Sequence, residues 1–150
     1  MTETRRPLLI VEDDPELQKQ MRWAFDRYET VVAADRESAV AQMRRCEPAV
    51  VTMDLGLPPH PDDPSEGLLL LEEINAIAPD TKVIVLTGQN DRVTALKTVA
   101  VGAHGSRTKP FAPEILAWTL ARAFLVHESL PENPSDHPAR AAARPPRARP

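Results

Sequence analysis

Leu8-Leu9-Ile10-Val11-Glu12-Asp13-Asp14-Pro15 sets the frame for the whole chain: four apolar residues, then three carboxylates, then a proline. An apolar run with no polar alternation reads as a strand buried on both faces, as in a parallel sheet. Leu17, Met21, Ala24, Phe25 and Tyr28 then recur at helical spacing. The same alternation continues outward. Val31-Val32-Ala33-Ala34 is a second strand, and a helix with Ala39, Val40 and Met43 on one face ends before Pro48. Val50-Val51-Thr52-Met53 is a third strand. A proline-rich loop from Leu55 to Ser65 leads into a helix over Leu68 to Ile77. Val83-Ile84-Val85-Leu86 is a fourth strand, and Val93, Leu96 and Ala100 stripe a fourth helix that Gly102 caps. His104 to Thr108 is a weak fifth strand, and Leu116, Leu120, Ala123 and Phe124 stripe a last helix. Parallel strands need crossovers, and the helices supply them. The predicted fold is α/β, a doubly wound five-stranded parallel sheet.

Composition excludes several classes. Of 150 residues, 42% are hydrophobic and 27% charged, an ordinary globular balance. The formal net charge of -4 offers no basic footprint, so no nucleic-acid contact is expected from the domain itself. One cysteine, Cys46, permits no internal disulfide and reads as a small half-buried residue. No apolar run has the ~20 residues that span a bilayer, and Met1 to Pro7 lacks a signal-peptide core. The expectation is a cytoplasmic protein with no membrane contact. Residues 1–127 are expected to form the domain. Residues 128–150 hold six prolines, four arginines and five alanines, and read as a disordered, solvated tail.

Four polar features follow apolar strands: Glu12-Asp13-Asp14, Asp54, Thr87-Gly88 and Lys109-Pro110. In an open doubly wound sheet such points converge at the carboxyl edge, where ligand sites collect. Crowded carboxylates repel, and Mg2+, which prefers oxygen donors, relieves the repulsion. An Asp carboxylate is also a covalent phosphoryl acceptor. A lysine ammonium opposite the cation stabilises charge on a phosphoryl group, and a hydroxyl such as Thr87 can bond one of its oxygens. Each feature alone has a plainer reading as a turn or loop. Asp14, before Pro15, reads first as a helix N-cap and second as an auxiliary acid. A flavin carrier of the same topology is disfavoured, because Glu12-Asp13-Asp14 would repel a phosphate unless a metal intervened.

These residues resemble the receiver domains of two-component response regulators. The matching segments are Leu9 to Pro15, Val51-Thr-Met-Asp-Leu-Gly-Leu-Pro58, Val83 to Gly88, and Gly102-Ala103 through Thr108-Lys-Pro-Phe111. The resemblance implies a flavodoxin-like or CheY-like (βα)5 receiver. It implies Asp54 as phosphoacceptor, and Glu12, Asp13, Asp54 and the Gly56 carbonyl as Mg2+ ligands. Thr87 is implied as switch hydroxyl, Lys109 as the phosphoryl-contacting lysine, and Pro110 as a cis-proline. The implied phosphoryl donor is a sensor histidine kinase or a phosphotransfer protein, with slow autodephosphorylation as the only activity. The implied output is a switched face, made by the fourth helix, fifth strand and fifth helix, that pairs with a second copy or a downstream partner to regulate transcription or signalling.

The acceptor loop Leu57-Pro58-Pro59-His60-Pro-Asp-Asp-Pro-Ser65-Glu66-Gly67 is longer than in most receivers and resembles those of PEP-CTERM-box response regulators. Those normally continue into an ATPase and a helix-turn-helix. No Gly-x-x-x-x-Gly-Lys-Ser/Thr pattern occurs here, so an excised regulator or a single-domain relative is expected. His60, Asp62 and Asp63 suggest a metal site less readily than a proline-stiffened surface loop. Ser106 stands where receivers carry Tyr or Phe, which places the aromatic coupling in doubt. His104 or Arg107 filling that space is one reading, and a solvent-facing role for them is the other. Trp23 and Trp118 are expected to pack or partly cover the helices. A receiver-like interaction scaffold that no longer switches is the alternative function.

Overall fold

The computed structural model describes residues 6–60, 63–87, 92–109 and 112–129. They alternate strictly between strand and helix: β1 Pro7–Val11, α1 Pro15–Ala24, β2 Glu29–Ala33, α2 Arg36–Cys46, β3 Val50–Asp54, α3 Ser65–Ile77, β4 Lys82–Thr87, α4 Arg92–Val101, β5 Gly105–Thr108 and α5 Pro113–Glu128. The strands form one parallel sheet in the order β2-β1-β3-β4-β5. The doubly wound sheet expected from the apolar runs is therefore present.

Alternate strand residues point to opposite faces, and both faces are covered. Leu8, Ile10, Val50, Ile84 and Leu86 pack on Met21 of α1 and Phe25 at its end, and on Leu116, Leu120 and Phe124 of α5. Leu9, Val11, Val51, Met53, Val83 and Val85 pack on Ala39 and Met43 of α2 and on Leu70, Leu71 and Ile74 of α3. Each large aliphatic side chain buried this way contributes about 1.5–3 kcal/mol. β1 thus commits Leu8, Leu9, Ile10 and Val11 to two layers at once.

Helix ends are set by local chemistry. Asp14 Oδ1 accepts the Glu16 amide at 3.0 Å, with Pro15 at the first helical position. Asp35 Oδ1 accepts the Ser38 amide at 2.8 Å, and Ser38 Oγ accepts the Asp35 amide at 3.4 Å, a reciprocal box at the start of α2. α2 stops at Glu47, a left-handed residue with φ 46°, just before Pro48. α4 stops at Gly102 with φ 123°, where Asn75 Nδ2 packs close and donates to the Val101 carbonyl at 2.7 Å.

Three expectations need correction. Leu96 and Ala100, placed on the inward stripe of α4, are exposed, whereas Thr98 is fully buried. The helix carries apolar residues on every side, so periodicity did not decide its register. Trp23 and Trp118 do not pack: they are 83% and 65% exposed. α1 ends at Ala24, with Phe25 as its C-cap, so Tyr28 lies beyond the helix and stacks on Phe124 at 4.4 Å. Pro110, Gly88, Phe111 and the tail from 130 lie outside the described residues.

Candidate functional site

The site lies where β1 and β3 end side by side. β1 is the switch point of the sheet, because the chain goes to β2 on one side and to β3 on the other. Glu12 and Asp13 follow β1 directly, and Asp54 is the last residue of β3. One carboxylate oxygen from each of the three lies within 4.8 Å of the others, and no other such trio occurs among the described residues. The expected acidic cluster is thus assembled.

Glu12 is held in a fixed pose. It is buried, its amide donates to the Ala33 carbonyl at 2.9 Å, and its Oε2 accepts the Asp14 amide at 3.2 Å. Gln18 Nε2, one helical turn into α1, donates to the Glu12 carbonyl. Sequence reasoning did not single out Gln18; its place on the inward side of α1's first turn was the available signal. Burial pushes the Glu12 carboxyl up to about 7, Asp54 adds to the rise, and the Lys109 ammonium opposes it.

Lys109 closes the cluster. Its Nζ lies 3.2 Å from Glu12 Oε1 and 3.2 Å from Asp54 Oδ2. Burial disfavours its charge, but Asp54 and Glu12 outweigh that and hold the ammonium above its usual range. Its amide donates to the Thr87 carbonyl at 2.8 Å, tying the ends of β4 and β5 together. Thr87 is buried one residue past Leu86, which is Asp54's register partner. The Gly56 amide donates to Asp54 Oδ1 at 3.1 Å and orients the carboxylate.

Gly67 shapes the loop after Asp54. A Cβ there would lie 2.4 Å from the Leu55 Cα, so only glycine lets the start of α3 approach this closely. In the inserted loop, Asp63 Oδ1 accepts from the Ser65 amide at 2.9 Å and from Ser65 Oγ at 2.5 Å. It therefore supports the start of α3. Asp62 is outside the described residues.

The two β5 side chains near the missing aromatic part company. Ser106 pairs in register with Val85 and so faces the α2–α3–α4 layer, while Arg107 pairs with Leu86 and faces α5. Arg107 Nε and Nη2 donate to Thr119 Oγ1 at 3.1 and 2.9 Å. His104 is exposed. Neither fills the space beside Thr87.

The donors are carboxylate oxygens only, with no histidine or cysteine, a set that fits a hard cation such as Mg2+. A compact acidic trio thus lies at the switch point of a five-stranded parallel sheet, with a lysine bridging two of its members. Residues 8–121 match the response regulator receiver domain family, and the chain belongs to that family. It is a receiver domain of two-component response regulators. It is 32% identical over 136 residues to the photosynthetic apparatus regulatory protein RegA of Cereibacter sphaeroides, covering 87% of this chain and 68% of that protein. It is 28% identical over 128 residues to the C4-dicarboxylate transport transcriptional regulatory protein DctD of Pseudomonas aeruginosa, covering 84% of this chain but 27% of that one. The crystal structure of the NtrX receiver domain from Brucella abortus superposes with a TM-score of 0.72 at 27% identity, over 82% of this chain and 99% of that one. The chain thus spans from about a quarter to two thirds of these regulators' length.

Proposed function

We propose that Asp54 accepts a phosphoryl group from the phosphohistidine of a sensor histidine kinase or a phosphotransfer protein. The observation that carries this is the Asp54 carboxylate set beside Glu12 and Asp13 on one side and 3.2 Å from the Lys109 ammonium on the other. An Asp54 carboxylate oxygen attacks phosphorus, the P–N bond of the donor breaks, and its electron pair returns to the imidazole nitrogen, which takes up a proton. Mg2+, when held by Glu12, Asp13, Asp54 and the Gly56 carbonyl, neutralises charge on the phosphoryl oxygens. Lys109 supplies the second positive contact, and Glu12, already anchored by Asp14 and Gln18, needs no reorganisation. Asp14 serves as the cap of α1 rather than as a ligand.

Thr87 is the hydroxyl placed to bond the new phosphoryl oxygen, and the Lys109–Pro110 bond is cis in this reading. The exposed Leu96 and Val99 of α4 and Ile115 and Trp118 of α5 supply an apolar surface for the switched α4–β5–α5 face to pair with a second copy or a downstream partner. No nucleic acid is contacted by the domain itself, and no membrane; no described helix is long and apolar enough to cross one. The protein works in the cytoplasm and regulates transcription, dephosphorylating slowly by itself. The long loop Leu57–Gly67 supports kinship with PEP-CTERM-box regulators, and the composition of 128–150 supports a disordered tail.

Intact mass after incubation with acetyl phosphate and Mg2+ tests the reading. Wild type gains one phosphoryl group and Asp54→Ala gains none. A folded wild type that gains nothing overturns the assignment and leaves a non-switching scaffold.

A further inference from the structure

The neighbouring acids Glu12 and Asp13 are held in different ways. Glu12 is fixed without help from α1. Its amide donates to the Ala33 carbonyl at 2.9 Å, and its carboxylate accepts the Asp14 amide at 3.2 Å and the Lys109 ammonium at 3.2 Å. The Asp13 carboxylate is half-buried and has no hydrogen-bond or ion-pair partner among the described residues. Its place therefore depends on the two planar peptide units that flank it. The unit after Asp13 ends in the Asp14 amide, which Glu12 Oε2 holds. The unit before Asp13 carries the Glu12 carbonyl, and Gln18 Nε2 donates to that oxygen. Side chains on a helix lean toward its N-terminus, which aims Gln18, in the first turn of α1, back at this peptide. The Gln18 amide also donates to the Asp14 carbonyl at 2.9 Å, so the residue is itself tied to the cap.

We propose that Gln18 is a positioning residue that sets the direction of Asp13 and thereby gives the acidic site its preference for Mg2+ over Ca2+. This rests on the reading of Glu12, Asp13 and Asp54 as the cation's ligands. Mg2+ demands a near-ideal octahedron of oxygens at about 2.0–2.1 Å, whereas Ca2+ accepts irregular sets at about 2.3–2.6 Å. A carboxylate on a backbone that can rock serves the larger ion nearly as well and the smaller ion badly. Glu12 and Asp54 do not depend on Gln18 in this way, because Lys109 bridges them and the Gly56 amide orients Asp54. Asp13 is the carboxylate whose backbone Gln18 holds. Partners that orient a metal's ligands typically govern about ten- to a hundredfold in affinity. A glutamine amide does this without adding a charge beside the cation, as a lysine or arginine donor would.

Titration of the metal-free full chain with MgCl2 and with CaCl2, followed by amide chemical shifts and with no phosphoryl donor present, tests this. Gln18→Met keeps the length and helix propensity of the side chain and loses the donor. Its Mg2+ dissociation constant rises about tenfold. Its Ca2+ constant changes by less than about threefold, because Ca2+ tolerates irregular geometry. In an Asp13→Asn background the same substitution has no further effect on Mg2+, whereas in Lys109→Met its effect persists. A merely structural role would weaken both ions together and in every background. Before any metal is added, the Asp13 and Asp14 amide shifts already differ between Gln18→Met and wild type. An equal loss for both ions, an unchanged Mg2+ affinity, or an undiminished effect in Asp13→Asn overturns the proposal. A folded wild type that binds no Mg2+ overturns the cation reading and this inference with it. A wild type that binds Mg2+ with the expected Gln18 dependence but takes no phosphoryl group supports the inference and removes only the phosphoacceptor reading.

Discussion

The Lys109 ammonium lies 3.2 Å from the Asp54 carboxylate, and the same nitrogen lies equally close to Glu12. One cation thus bridges two of the three carboxylates that would hold Mg2+. Lys109→Met is expected to act in two opposite directions. Loss of the competing charge tightens Mg2+ binding about tenfold, the effect of roughly 1.4 kcal/mol. Loss of the contact to the phosphoryl group slows acetyl-phosphate labelling about a hundredfold. Calorimetric Mg2+ titration and timed intact mass read the two effects separately; parallel changes in both would show that Lys109 has only a structural role.

Mg2+ is expected to raise the melting temperature and EDTA to reverse the rise. Three carboxylates with a ligand atom each inside 4.8 Å repel one another until a cation joins them. A ligand at a hundredfold excess over its dissociation constant stabilises by about 2.7 kcal/mol. Asp13→Asn removes one ligand and part of the repulsion, so its melting point without Mg2+ holds or rises while the Mg2+-dependent shift shrinks. An unchanged Mg2+ shift in Asp13→Asn would place the ion elsewhere.

Gly67→Ala is expected to destabilise by about 1–3 kcal/mol, as overpacking does. Its new methyl would meet the Leu55 Cα at 2.4 Å, which is backbone and cannot rotate away. The loop that must move begins one residue after Asp54, so labelling by acetyl phosphate slows as well. Urea denaturation measures the first effect and intact mass the second. A variant as stable as wild type would mean that α3 can retreat from the loop freely.

The fold was legible because most of its strands carry apolar runs, and the candidate site because three of its four polar features end such a run; Lys109 instead follows the weak strand Gly105-Ser106-Arg107-Thr108. What the sequence hid was tertiary. α4 has apolar residues all round, so its inward face was set by Thr98 and by Asn75 bonding Val101, neither of which has a periodic signature. The Arg107–Thr119 bond joins β5 to α5 across twelve residues and depends on which sheet face Arg107 occupies. Trp23 and Trp118 defeat hydropathy reasoning because their exposure belongs to surfaces rather than to the core.

Asp35→Ala is expected to lose about 1 kcal/mol by removing the cap of α2. The hydrogen bonds from Ser38 hold the Asp35 carboxyl below its ordinary range. With the folded value lower than the unfolded one, the contribution is complete above the unfolded carboxylate range and fades as pH falls through the folded value. The difference between wild type and Asp35→Ala in urea denaturation is therefore constant at neutral pH and narrows in acid. A difference that widened in acid would refute the cap assignment.

Ser106 faces the α2–α3–α4 layer beside Val85, and under the proposed switch its hydroxyl is too small to fill the space that Thr87 would leave on moving toward a phosphoryl group. Arg107 cannot substitute, because it lies on the opposite face, bonded to Thr119, which donates in turn to the Ile115 carbonyl at 2.9 Å. The wild-type response of α4 to beryllofluoride is therefore expected to be smaller than that of Ser106→Tyr, whose ring can follow Thr87 inward. Arg107→Ala is expected to leave the α4 response unchanged and to destabilise by about 0.5–1.5 kcal/mol through the lost bonds to Thr119. Amide chemical shifts with and without beryllofluoride measure the response in each variant. Equal α4 shifts in wild type and Ser106→Tyr would show that Thr87 reaches α4 without any ring. A reduced response in Arg107→Ala would route the signal through α5 instead.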